Sequence, residues 1–193
     1  MFTKYIAPAL LMFSVAGSAA ADSWAIDPSH SDVGFSVRHL MISKTKGEFK
    51  KVSGTAEIDD KNPTQSRMRL EIDVNSIDTD DQKRDQHLTS PDFFDAQKYP
   101  KIIFESKKIT KAGKGYKVSG DLTMHGVTKP ITLDATLTKP VASPFGTANR
   151  GVEVSGTINR KDFGMTWNKS LDGGGLVVGE EVNIDVVLEL IKR

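Results

Sequence analysis

Apolar residues recur at every second position through most of this chain, the period of a β-strand that buries one face and wets the other. Val33, Phe35 and Val37 alternate with Gly34, Ser36 and Arg38, and Met68, Leu70, Ile72 and Val74 alternate with Arg67, Arg69, Glu71 and Asp73. The same spacing runs through Ile102, Phe104 and Ser106, through Tyr116, Val118, Gly120, Leu122 and Met124, and through Ile131, Leu133, Ala135 and Leu137. Val152, Val154, Gly156 and Ile158 follow, and Val182 to Leu190 closes the series. With strands near Trp24–Ile26 and over Val52–Ile58, the pattern predicts about nine strands. Groups such as Asp59–Pro63 and Lys111–Gly115 supply hairpin turns, so the order is mostly sequential and antiparallel. Such a set packs as a sandwich or closes on itself, and closure removes exposed edges. A closed antiparallel barrel of about eight strands encloses room for side chains or one small ligand, and the inward set here is apolar.

One stretch breaks the rhythm. Residues 80–90 are polar, and residues 91–99 bring Phe93 and Phe94; Asp80 or Asp81 suits the cap of one short helix, and Ser90-Pro91 the start of a second. There is no internal repeat, low-complexity tract or linker, so the fold class is all-β, with one or two short helices inserted in one domain.

The first 21 residues read as a secretory signal. Lys4 precedes the apolar run Tyr5–Val15, and small residues follow to Ala21. That run is too short to span a bilayer, and none later approaches the length required. Cleavage near Ala21 leaves residues 22–193, one ordinary domain, in an exported and hence periplasmic setting. The chain carries 26 basic and 25 acidic residues, and Lys4 is the only charge in the leader. A neutral mature surface argues against binding nucleic acid through phosphates. With no cysteine there is no disulfide, thiolate metal site, thiol nucleophile or lipid-bearing cysteine after the signal.

The residues also resemble the YceI-like family, whose members are described as polyisoprenoid-binding periplasmic proteins. The likeness covers the mature chain and rests on Trp24-Ala25-Ile26-Asp27-Pro28-Ser29-His30-Ser31, Phe35-Ser36-Val37-Arg38-His39-Leu40, and the stretch Arg84 to Asp95 containing His87-Leu88-Thr89-Ser90-Pro91-Asp92-Phe93-Phe94. Tyr99-Pro100, Phe104-Glu105-Ser106, the stretch Gly120 to Pro130 and Gly179-Glu180-Glu181-Val182 complete it. The resemblance implies an elongated lipocalin-like barrel whose apolar lumen holds a long isoprenoid chain, such as a polyprenyl phosphate or the tail of a quinone.

On that reading Phe35, Val37, Leu70, Ile72, Phe104, Leu122, Met124, Leu133 and Val154 line the lumen, and burial of each CH2 contributes about 0.8 kcal/mol with no catalytic group required. Arg84, His87, Arg38, His30 and His39 are candidates for a polar mouth, since arginine can fork onto a phosphate and histidine can donate to an oxygen. Each has a structural alternative. Arg84 can tie the helical insert to the barrel, His30 can serve its own turn, and His39, on the inward parity, can be a satisfied core histidine. His125 falls in a turn, facing away from Leu122 and Met124. Phe93, Phe94, Phe163 and Trp167 lie in or beside irregular segments and are candidate lids, with core packing as the alternative.

No metal or cofactor is expected. Zinc-type histidine spacings are missing, and Asp73–Asp81 lacks the glycine and terminal glutamate of a calcium loop. The run Asp172–Gly175 has no lysine after it and no predicted helix, which a phosphate loop needs. A hydrolase using His30, His39 or His87 is the rival reading, but no nucleophile elbow supports it. A stress-related, partner-binding protein with a filled barrel is the other. A homodimer is the default expectation for any self-association.

Overall fold

The computed structural model describes residues 21–171 and 174–193. The signal segment falls outside them apart from Ala21, as do Asp172 and Gly173 of the glycine run. Eleven strands are present: β1 (Asp22–His39), β2 (Ser43–Phe49), β3 (Val52–Ile58), β4 (Arg67–Asp73), β5 (Ile77–Asp78), β6 (Lys101–Ala112), β7 (Gly115–Met124), β8 (Val127–Leu137), β9 (Val141–Ala142), β10 (Ala148–Asn159) and β11 (Val178–Lys192). All pairings are antiparallel. Eight strands run β1-β3-β4-β6-β7-β8-β10-β11, and β11 pairs with β1 to close the ring. The closed barrel expected from alternation is the observed fold.

Three features correct the strand list. The segments around Trp24 and Phe35 are one strand, β1, with a bulge between Asp27 and Asp32 where its register on β11 shifts. Pro28 and the polar run after it disguise that continuity. At the bulge β1 changes its other neighbour, pairing with β3 over Asp22–Ala25 and with β2 over Gly34–His39. Strand β2, Ser-Lys-Thr-Lys-Gly-Glu-Phe, has almost no apolar residues to betray it, and β5 and β9 are two-residue pairings.

Of the one or two short helices expected, the described residues form one α-helix, α1 (Gln82–Thr89). Asp81 caps it, its carboxylate accepting from the amides of Lys83 and Arg84. Ser90-Pro91 does not start a second helix. Ser90 instead ends the first, its amide and hydroxyl both donating to the His87 carbonyl, and residues 91–99 proceed as turns. Thr79 clamps α1 to the end of β5: its amide and hydroxyl donate to Asp85, and Arg84 donates to its hydroxyl and carbonyl. Among the described residues no helix is long and apolar enough to cross a membrane.

The barrel ends differ. Away from α1, Trp24, Leu188 and Leu190 are fully buried, and Arg150 lies over the Trp24 ring at 5.0 Å. The Arg150 Nη2 donates to the Thr138 carbonyl at 2.8 Å and lies 3.0 Å from an Asp60 carboxylate oxygen. At the other end α1 and the turns after it lie across the opening. Gly120 takes an inward position that any side chain would contest, since a β-carbon there would sit 2.7 Å from the Phe104 ring.

Candidate functional site: an apolar bore

Alternation sends every second residue of eight strands into the barrel, and there they do not close on one another. Phe35, Val37, Met68, Val118, Ile131, Val154, Ile158 and Ile184 point inward yet keep partial exposure, because they face a cavity of about 230 Å³. Its lining runs from Pro63, Arg67 and Tyr116 at one end to Leu88, Phe94, Arg160 and Met165 at the other. On β6 alone it extends from Ile102 to Ile109, roughly 23 Å along the strand at the usual rise. The cavity is therefore elongated along the strands, an apolar bore with walls from eight strands.

Phe35, Val37, Leu70, Ile72, Phe104, Leu122, Met124, Leu133 and Val154 all line this bore. Of the candidate lids, Phe93 and Phe94 do so as well, with Leu88 of α1 beside them. Phe163 does not line it; it is buried in the wall, and its carbonyl lies 2.9 Å from His125 Nδ1. Trp167 is also off the bore, its ring 4.8 Å from His87 and 5.1 Å from Phe93.

The polar candidates do not converge. His87 Nε2 lies 2.8 Å from Asp92, His39 ends β1 opposite Ser43, and Arg84 serves the helix clamp, so none of the three lines the cavity. Arg38 is exposed on the outer face. His125 sits in a left-handed turn at φ 51° and is half-buried against Tyr99, with ring centres 5.2 Å apart. The histidines named for a hydrolase are thus held separately, on a strand bulge, at a strand end and on a helix.

The bulge in β1 does assemble one group. Asp27 and Glu189 face each other across β1 and β11, and His30 folds back so that its Nδ1 lies 2.8 Å from Asp27. Ligand atoms of all three lie within 4.8 Å of one another, the one such trio among the described residues. The hydrogen bond from His30 holds the Asp27 carboxyl below its ordinary range, and the same bond raises His30. That internal pairing accounts for the geometry as a clamp on an exposed bulge. The acidic stretch near α1 is likewise used locally: Asp73, Asp78 and Asp81 accept from the amides of Asn75, Asp80 and Lys83.

Sequence reasoning missed two residues that bound the interior. Arg150 and Arg160 lie at either end of the inward row Val152, Val154, Gly156, Ile158, and extending that parity by one step in each direction would have found them. Arg160 is 3% exposed and lines the bore. Its Nε donates to the Gly179 carbonyl at 2.9 Å and its Nη1 to the Met165 carbonyl at 2.7 Å, while its guanidinium stands 5.9 Å from the Phe93 ring centre. Among the described residues no carboxylate lies within 4.0 Å of it. Burial pulls its pKa below the ordinary arginine value, against the opposing pull of Glu180. One end of a greasy bore therefore carries a buried cation satisfied only by backbone dipoles.

Residues 24–190 match a family model described as a YceI-like domain. The chain is 42% identical over 159 residues to Protein YceI of Escherichia coli, covering 81% of this chain and 83% of that protein. Among solved structures it is similar to BcnA of Burkholderia cenocepacia, with a TM-score of 0.75 and 28% identity over 85% of this chain and 98% of that one. It also shares its fold with a polyisoprenoid binding domain from Saccharophagus degradans, described as implicated in plant cell wall breakdown, with a TM-score of 0.63 and 18% identity over 88% and 98% of the two chains.

Proposed function

Because this chain belongs to the YceI-like family, we propose that it is an exported carrier that shields one long isoprenoid-type lipid from water, and that it binds without turning its cargo over. The observation that carries this reading is the bore itself. It is apolar along nearly all of its lining and runs lengthwise through the barrel. The polyisoprenoid-binding description of a protein with this fold supports the choice of cargo. The leader-like first 21 residues support a periplasmic setting, where a prenyl chain leaving a membrane meets water. In this reading the tail lies along Phe104, Leu122, Leu133 and Val154. A phosphate or quinone oxygen rests at the Arg160 end, where a buried guanidinium has no carboxylate within 4.0 Å among the described residues.

A carrier that works by burial gains affinity with each unit of chain until the bore is full. Calorimetric titrations with prenyl phosphates of increasing length are expected to tighten by roughly tenfold or more per added isoprene unit and then level off. Affinity that is independent of chain length would contradict burial as the source of binding.

A further inference from the structure

The hairpin joining β1 to β2 carries features that the barrel does not need. Its turn places Leu40 and Met41 in succession at φ 51° and 63°, where such hairpins favour Asn-Gly. Met41 is 56% exposed and Ile42 is 82% exposed. Below this apolar tip Arg38 lies directly opposite Lys44, and Lys46 opposite Ser36, all three cations on the outer face. Like charges across a ladder destabilise it, and among the described residues none of the three is within 4.0 Å of a carboxylate. The tip stands at the Arg160 end of the bore. The Leu40 amide donates to the Val177 carbonyl, and His39 pairs with Val178, which lines the cavity.

An exposed apolar point above three cations that form no ion pair among the described residues complements a surface that is anionic outside and apolar within. We propose that the β1–β2 hairpin docks this protein on anionic lipid bilayers, with Met41 and Ile42 entering the interface and Arg38, Lys44 and Lys46 meeting the head groups. Docking turns the Arg160 end of the bore towards the membrane. It goes beyond the carrier reading and does not depend on which lipid the bore accepts.

Flotation of residues 22–193 with phosphatidylglycerol-containing vesicles and with pure phosphatidylcholine vesicles tests this. Binding is expected to the first and not the second, to weaken with salt, and to fall about tenfold or more in Ile42→Asp and in the double variant Lys44→Glu/Lys46→Glu. Phe145, 91% exposed near β9 at the opposite end, supplies the control: Phe145→Asp is expected to float as the wild type does. The proposal is overturned if anionic vesicles are not bound, if Ile42→Asp binds them undiminished, or if Phe145→Asp is the variant that loses them. It is also overturned if the tip joins two copies of the chain, seen as a concentration-dependent dimer that Ile42→Asp abolishes while vesicles stay unbound. Prenyl phosphate titration of the same variants keeps the two ideas apart. Unchanged uptake with lost flotation separates docking from the bore, and failed uptake in every variant, the wild type included, sinks the carrier reading alone.

Discussion

Val154→Trp is expected to weaken long-chain lipid binding roughly 100-fold while leaving a folded barrel. Val154 points inward from β10, between Ala135 on β8 and Val186 on β11, and lines the bore. An indole there fills part of the lumen and displaces about four methylenes of any occupant, a loss of about 3 kcal/mol or roughly 100-fold in affinity. The barrel tolerates the added bulk at a cost of about 1–3 kcal/mol, because the side chain grows into the cavity rather than into a neighbour. The control is Val187→Trp on the adjacent strand. Val187 faces outward and is 47% exposed, so the same residue placed there leaves uptake unchanged. Equal loss in both variants, or in neither, would place binding somewhere other than the lumen.

The second large effect concerns the opposite end. Trp24 is fully buried, covered by the Arg150 guanidinium at 5.0 Å, in the same core cluster as the fully buried Leu188 and Leu190. Trp24→Ala removes the largest side chain in that end and leaves Arg150 buried without the surface on which it rests. The expected loss is about 3–5 kcal/mol. In a domain of this size that lowers the midpoint of thermal unfolding by roughly 6–20 °C by circular dichroism. Trp24→Phe, which keeps a ring beneath the guanidinium, is expected to lose less than half as much. A fall of less than about 2 °C for Trp24→Ala would show that this end of the barrel is not the closed, stabilising one.

Legibility in the sequence followed the physics of burial. Strands with one dry face announced themselves by parity, and the positions named for the lumen from Phe35 to Val154 do line it. What escaped was structure held by the backbone or by neighbours. Strand β2 shows Thr45 and Gly47 where apolar residues would be looked for, since it is specified by its ladder to β1. The β1 bulge hides a continuous strand behind a proline. The expected second helix failed because Ser90 bonds back to His87 and so ends a helix, a choice that the bare dipeptide Ser-Pro does not reveal. The arginines at either end of the β10 row were hidden by the ordinary rule that charge faces water, which a stacked ring and a cradle of carbonyls can override.

The histidines teach a related lesson. Chemically versatile residues drew notice in the sequence, yet His30, His87 and His125 each meet a local partner, in Asp27, Asp92 and the Phe163 carbonyl. Between the polar residues at its ends, the bore is built by residues with no chemistry to offer beyond their size and their dislike of water, as an apolar chain requires.

Native mass spectrometry of the protein as purified from a bacterial host, and again after incubation with a prenyl phosphate, reads the occupancy of the bore. The expected result is a single bound lipid per chain, released on activation and identified as isoprenoid-type, or its stoichiometric uptake from the added pool. A chain that emerges without lipid and remains so in the presence of prenyl phosphates and quinones would contradict it.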